Sequence, residues 1–258
     1  MIFMKDKILG IDIGGSGVKG ALVDIRAGEF ASERVRVPTP SRHAPDAILR
    51  AIGEIVETLD YRGAIGCGFP GVVRGQIIET AANLGGKNFI GFNLAEAIGE
   101  KFGCGAWVVN DADAAGIAEM RFGAGKNAAG TVVVLTIGTG IGVSMFVGGV
   151  LVPNLEFGHL KMRDKSTGKN ADAEKLYSDA VRKANDLSWK SWAGGLNKYL
   201  KYLHALARPE LIIIGGGVSA KSEKFFKYLD VPCEVVPAKL ENRAGIIGAA
   251  FGAYSSIK

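Results

Sequence analysis

The chain has 258 residues, 48% of them hydrophobic and 22% charged, with a formal net charge of +5, which allows one large or two smaller packed domains and excludes a disordered chain. The mild basic excess suits an ordinary globular surface or, as the sharper reading, a phosphate-rich partner. Cys67, Cys104 and Cys233 are odd in number, scattered and without a C-x-x-C pair, so neither a disulfide framework nor a zinc cage is indicated and a reducing, cytoplasmic setting is expected.

The opening MIFMKDK is charged too early for a secretory signal. In ILGIDIGGSGVKGALVDI, Gly15, Gly17 and Gly20 satisfy the G-x-G-x-x-G spacing of a dinucleotide-binding turn. The segment after Gly20 is short, apolar and β-branched rather than helical, breaks at Arg26–Glu29 and resumes through Val37. The stretch is therefore read as a hairpin, and no G-x-x-x-x-G-K-[ST] loop occurs elsewhere. A helix is expected from Pro45, with Ile48, Leu49, Ile52, Ile55, Val56 and Leu59 as its apolar stripe. Gly63–Phe69 reads as a strand, Asn93–Phe102 as a helix, Ala106–Val109 as a strand and Asp111–Phe122 as a helix.

The uncharged run Thr131–Val152 is long enough for a membrane span, but its five glycines and clustered Val and Thr residues make it buried strands joined by tight turns. Within it, LTIGTGIGVSMFVGG from Leu135 matches IDIGGSGVKGALVDI from Ile11 without gaps. The chain then reads as two related halves facing each other across a cleft, with one glycine loop from each wall; coincidence between two glycine-rich hairpins is the alternative. Helices are expected at 171–184 and 189–207. LIIIGGG comes next as a buried strand running into a helix from Ser219, whose N-terminus would favour an anion. A last helix, Arg243–Ser255, carries small residues suited to close packing against the first half.

Loops at 14–17, 138–142 and 215–217 have few side chains, so their N–H groups can approach phosphate oxygens. Asp12, which matches Thr136 in the second copy, is either a Mg²⁺-holding carboxylate or a turn cap. Lys19 either neutralises phosphate or is solvated. Asn110 and Asp111 end a short strand, where open α/β sheets present ligand-binding groups. Asp111 is a helix N-cap or the carboxylate that accepts a proton from an acceptor hydroxyl. Glu156 and His159 suit sugar hydroxyls, or are two polar loop residues near each other by chance. His43 and His204 are read as surface or packing residues. Lys161, Arg163, Lys165, Lys169 and Lys175 either track a polyanion or form a solvated surface.

DIGGSGVKG, FPGVV with TAANL, VVNDADAA, TIGTGIG, EFGH and IIIGGGVS, in this order, resemble a sugar kinase of the ROK family. GKNADAEK, DLSWKSW and AGIIGAA are most similar to its polyphosphate-dependent glucokinases. The resemblance implies an α/β, actin-like and ribonuclease H-like duplicated fold: two lobes around a central cleft, 1–110 with helix 243–258 packed back on it, and 111–242. It implies transfer of a phosphoryl group from inorganic polyphosphate, with ATP as a further donor, to the 6-hydroxyl of glucose. Asp111 would be the general base, and Asn83, Asn110, Glu156, His159 and Glu174 would hold the other hydroxyls. Gly14, Gly15, Ser16, Gly17, Lys19, Thr139, Gly140, Gly215, Gly216 and Gly217 would bind donor phosphates, with Mg²⁺ at Asp12. An ATP-dependent glucokinase or mannokinase is the alternative activity.

The cysteine-rich zinc motif of many ROK proteins is replaced by GKNADAEK, so zinc is not expected, and no helix-turn-helix segment precedes the first loop. Phe89 stands where similar sequences often carry Trp. Glucose and polyphosphate are the expected partners, with no nucleic acid or membrane; oligomeric state is open, a homodimer included. A non-catalytic sugar sensor and an actin-like or chaperone-type nucleotide switch are the rivals from other classes.

Overall fold

The computed structural model describes residues 6–40, 44–81, 84, 86–164 and 167–257. Its contacts divide the chain into two units: residues 1–122 with 243–258, and residues 123–242.

In the first unit β1 (Lys7–Gly14) and β2 (Gly17–Asp24) form the antiparallel hairpin expected of the opening motif. The short strands β3 (Glu29–Phe30) and β4 (Val35–Val37) both pair with β2, and α1 (Pro45–Thr58) comes after them. Next come β5 (Ile65–Phe69), the small ladder of β6 (Val73–Arg74) and β7 (Ile77–Ile78), α2 (Leu94–Phe102), β8 (Ala106–Asn110) and α3 (Asp111–Phe122). The sheet runs β3-β2-β1-β5-β8, with β5 parallel to both of its neighbours. Leu9, Ile11 and Ile13 pack in one core with Ile48, Ile52 and Ile55 of α1 and with Leu94 and Ile98 of α2. Phe89 lies in that core, fully buried, with its ring centroid 5.6 Å from that of Phe69.

The second unit opens with β9 (Thr131–Ile137), β10 (Ile141–Val147) and β11 (Val150–Val152), the strands into which the uncharged run resolves. The ladder of β12 (Lys161–Arg163) and β13 (Asn170–Asp172) leads to α4 (Glu174–Tyr177), α5 (Asp179–Ala184), α6 (Trp189–Ala207), β14 (Leu211–Gly215) and β15 (Glu234–Pro237). Trp192, Leu196, Tyr199, Leu200 and Leu203 line one face of α6 against Val133, Leu135 and Ile212. Each such aliphatic side chain contributes about 1.5–3 kcal/mol by leaving water. Among the described residues no helix is long and apolar enough to cross a membrane.

Two helical expectations are corrected in this unit. The single helix at 171–184 is instead β13 followed by α4 and α5, because Asn170–Asp172 pairs with β12 and Ser178 is extended (φ −64°, ψ 161°). The Ser178 hydroxyl then accepts the Val181 N–H and caps α5. After LIIIGGG the chain forms only a six-residue 3₁₀ turn, Ser219–Lys224, with non-helical backbone at Lys221. That turn is too short and irregular to supply the helix-dipole anion site expected there.

The chain returns to the first unit as α7 (Ala244–Ser256). Side chains alternate along a strand, so Gly10 faces away from Leu9 and Ile11. A Cβ on Gly10 would lie 2.0 Å from the Ile246 carbonyl oxygen, and one on Gly66 of β5 would lie 1.9 Å from that of Ala249. Glycine in both strands lets α7 lie directly on the sheet. On the helix side, a Cβ on Gly248 would lie 1.7 Å from the Ala114 carbonyl oxygen, so α3 seats against α7 backbone to backbone. That packing places α3 in the first unit and the division at Phe122, beyond the boundary anticipated at residue 110.

The internal echo is a duplication of topology. The order β11-β10-β9-β14-β15 reproduces β3-β2-β1-β5-β8, each an antiparallel hairpin extended by parallel strands. β1 and β9 also share one succession of buried and half-buried residues, with Asp12 and Thr136 both half-buried. The gap-free match fails beyond the turn. Gly15 and Ser16 separate the paired Gly14 and Gly17, whereas residues 138–140 separate the paired Ile137 and Ile141. A one-residue change in pairing exchanges the two faces of a strand. Lys19 is accordingly half-buried where its sequence match Val143 is buried, and Thr136 faces Gly142.

Candidate active site

The first glycine loop is the tip of the β1–β2 hairpin, with Gly15 and Ser16 exposed. The Thr39 hydroxyl donates to the Gly14 carbonyl, and Arg36 Nη2 donates to that of Ser16 at 2.8 Å. Asp12 points across the sheet to Lys19, with Nζ 3.1 Å from Oδ2, rather than into the turn. The carboxylate also lies beside the start of α7, 3.6 Å from where a Cβ on Gly245 would stand. An ammonium and a guanidinium thus flank the loop. Sequence reading found Lys19 and missed Arg36, whose signal was the alternation RVRV at 34–37 and whose meaning depends on β4 pairing with β2.

Asn110 and Asp111 stand where the parallel strands β5 and β8 end and α3 begins. The Asn110 side chain, 9% exposed, accepts the N–H groups of Ala112 (2.9 Å) and Asp113 (3.1 Å) and donates to the Gly71 carbonyl (3.1 Å). Asn110 therefore caps α3. The half-buried Asp111 sits in the first helical turn, its Oδ1 accepting the Ala112 N–H at 2.8 Å. Asn110 already satisfies both amides, so the cap does not require Asp111. Asn110 in turn has one amide hydrogen left for any ligand.

In the second unit Glu156, His159 and Glu174 come together. Gly158 bends the EFGH segment onto β10, where a Cβ would lie 2.1 Å from the Ile141 carbonyl oxygen. The buried Tyr199 hydroxyl donates to the Phe157 carbonyl at 3.0 Å and holds the bend from α6. His159 Nε2 is 3.5 Å from Glu156, and its Nδ1 is 3.7 Å from Asp172 and 3.8 Å from Glu174. Glu174 also accepts the Ile141 N–H at 3.4 Å, and a side chain at Gly140 would strike its carboxylate. Glu174 thus joins the second glycine loop to the Glu156–His159 pair. The third loop is its neighbour: Gly215 pairs with Thr136, and Gly216 (φ +77°) packs so closely on Ile137 that a Cβ would lie 2.5 Å from its carbonyl oxygen. Thr139 and Gly217 are exposed.

Partial desolvation pushes the Glu156 carboxyl above the usual range although its side chain is still 45% exposed, an effect the His159 charge opposes and the Glu174 charge adds to. Asp172, which sequence reading missed, is held below it by its hydrogen bond to Lys161, with Lys175 on the other oxygen. His159, Asp172 and Glu174 could offer one ligand atom each to a metal, all within 4.8 Å of one another. A metal there would have to displace two ammonium groups. Lys161 and Lys175 are thereby drawn to Asp172 rather than arrayed along a polyanion track, while Arg163 lines a pocket with Tyr177 and Lys198. Asn83, Lys165 and His43 lie outside the described residues.

The model of the ROK family matches residues 8–169. The chain is 42% identical over 247 residues to polyphosphate glucokinase from Mycobacterium tuberculosis (strain CDC 1551 / Oshkosh), covering 95% of this chain and 91% of that protein. The crystal structure of inorganic polyphosphate/ATP-glucomannokinase from Arthrobacter sp. strain KM superposes with a TM-score of 0.88 at 38% identity, covering 96% of this chain and 98% of that one. A ROK family glucokinase from Streptomyces griseus, in complex with glucose and AMPPNP, superposes with a TM-score of 0.79 at 25% identity, covering 97% and 100%.

Proposed function

The chain belongs to the ROK family, and from that membership we propose that it is a sugar kinase, transferring the terminal phosphoryl group of inorganic polyphosphate to the 6-hydroxyl of glucose, with ATP as a second donor. The observation that carries the reading is the division of labour at the head of α3. Asn110 performs the cap, so the carboxylate one residue on, at the strand ends, is not needed for it and is of the type that serves as a general base.

In this reading Asp111 accepts the hydroxyl proton as the sugar oxygen bonds to phosphorus and the bridging P–O bond breaks, leaving glucose 6-phosphate and a chain one phosphate shorter. Glu156, His159 and Glu174 bind the remaining hydroxyls as acceptors and donor, joined by Asn110 and Asn83. Main-chain N–H groups of residues 14–17, 139–140 and 215–217 and the Lys19 ammonium stabilise charge on the donor. Mg²⁺ is bound by one or two carboxylates, water and substrate phosphates. Asp12, a half-buried acid beside the first loop with one oxygen given to Lys19, fits that role. Bound there, the ion would neutralise donor charge. Zinc has no place in the reading.

The support is the relatives' activity together with the Glu156–His159–Glu174 cluster, which a nucleotide switch without a sugar would not need. The test is glucose 6-phosphate formation with long-chain polyphosphate, with ATP, and with neither. Polyphosphate-dependent product is expected. ATP-dependent product alone would move the protein to the ATP-dependent glucokinases, and none with either donor would return it to a sugar sensor.

A further inference from the structure

Residues 12, 19 and 36 form one row across three strands: Asp12 faces Lys19 on β2, and Lys19 faces Arg36 on β4. Facing residues on paired strands project to the same side of a sheet, so a carboxylate, an ammonium and a guanidinium stand in line beside the first glycine loop. Asp12 bonds Lys19 and so offsets one of the two cations. Among the described residues no acid pairs with Arg36, which is exposed.

The guanidinium is nevertheless held. Its Nη2 donates to the Ser16 carbonyl at 2.8 Å, and it lies along the loop so closely that a Cβ on Gly17 would come within 2.8 Å of Nε and 3.2 Å of Cζ. One carbonyl engages one of five N–H donors. The rest of a planar fork is left beside the loop tip, where Gly15 and Ser16 are exposed, an arrangement suited to two-point binding of a phosphate.

We infer that Arg36 is a donor-binding residue, gripping a phosphate of the condensed phosphate chain where that chain leaves the Gly14–Gly17 loop. The inference rests on the kinase reading for its substrate, but it is an anion-binding claim that can be measured without turnover.

The test compares wild type with Arg36→Gln, which can still donate to Ser16 but has no charge, and Arg36→Lys, which keeps the charge without the fork. Tripolyphosphate affinity is measured by calorimetry in the absence of glucose, and KM for long-chain polyphosphate, ATP and glucose by coupled assay. Arg36→Gln should weaken tripolyphosphate binding and raise the polyphosphate KM about tenfold, the loss expected for a hydrogen bond to a charged group. Arg36→Lys should recover part of this, while the glucose KM stays within about twofold and Tm is unchanged. The ATP arm shows whether the same phosphate contact serves the nucleotide donor. Unaltered tripolyphosphate affinity in Arg36→Gln, a matching rise in glucose KM, a lowered Tm, or no binding by wild type would each overturn the inference. Wild type that binds tripolyphosphate and loses it in Arg36→Gln, yet forms no glucose 6-phosphate, would support the anion site while removing the kinase reading.

Discussion

Replacing Asp111 by Asn, alongside Asn110 by Ala, separates chemistry from folding at two adjacent residues. Asp111→Asn preserves size and leaves both amide bonds to Asn110 in place. A general base contributes at least roughly a hundredfold to kcat, which at 1.36 kcal/mol per factor of ten is about 2.7 kcal/mol of transition-state stabilisation. The variant should lose that much while its Tm stays within about 2 °C of wild type. Asn110→Ala should lower Tm and glucose affinity while keeping most of kcat at saturating glucose. It removes the cap, worth about 1 kcal/mol, and strips the Gly71 carbonyl of its donor, worth about 1–3 kcal/mol when buried. At about 2–4 °C per kcal/mol, Tm should then fall by at least about 4 °C. Turnover is read by coupling glucose 6-phosphate to NADP⁺ reduction at saturating glucose and donor, glucose affinity by calorimetry, and Tm by differential scanning. Near-normal turnover in Asp111→Asn would refute the assignment of the base, and so would a kcat loss that tracks a fall in Tm.

Three further outcomes are expected. Gly248→Ala should cost about 3 kcal/mol or more in urea unfolding, because its Cβ would lie 1.7 Å from a main-chain oxygen; Gly194→Ala on α6, with open space around it, should stabilise by up to about 1 kcal/mol, and similar values for the two would contradict the α3–α7 packing. Glu156 binds its proton more tightly folded than unfolded, so its charged form opposes folding above the raised pKa and that opposition fades as pH falls through it. Glu156→Gln should therefore raise neutral-pH stability, and it should remove the acid limb of glucose binding, which in wild type sets in at higher pH than an ordinary carboxylate would give; an unchanged limb would count against Glu156 as a sugar ligand. Finally, the KM for long-chain polyphosphate should rise steeply with sodium chloride while that for glucose stays flat, and parallel behaviour would remove the electrostatic account of donor binding.

Elements set by local chemistry were legible. α1 began at Pro45, where proline suits a first helical turn, and Asn93 capped α2 with its side chain on the Glu96 N–H. The exceptions arose where pairing with another segment overrode helical spacing: Asn170–Asp172 became a strand because β12, just before it in the chain, was there to pair with it. Within the candidate site, Asp111, Glu156 and His159 were named from motif and chemistry, and Glu174 from the family resemblance. Asp172 was not, because nothing near it in the chain indicates that Lys161 and Lys175 converge on its carboxylate.

The sequence by itself therefore determined the repeated strand–loop–strand unit, the alternation of helices and strands, and the residue types able to hold phosphate and sugar, since each is carried by short stretches of neighbouring residues. The tertiary structure alone decided the pairing register. It placed Arg36 beside Lys19, opposed Thr136 to Gly142 rather than to a cation, and let Gly248 admit α3. The physical reason is that a one-residue change in a turn transfers every later side chain to the other face of its strand, and only the packed sheet records which face was buried.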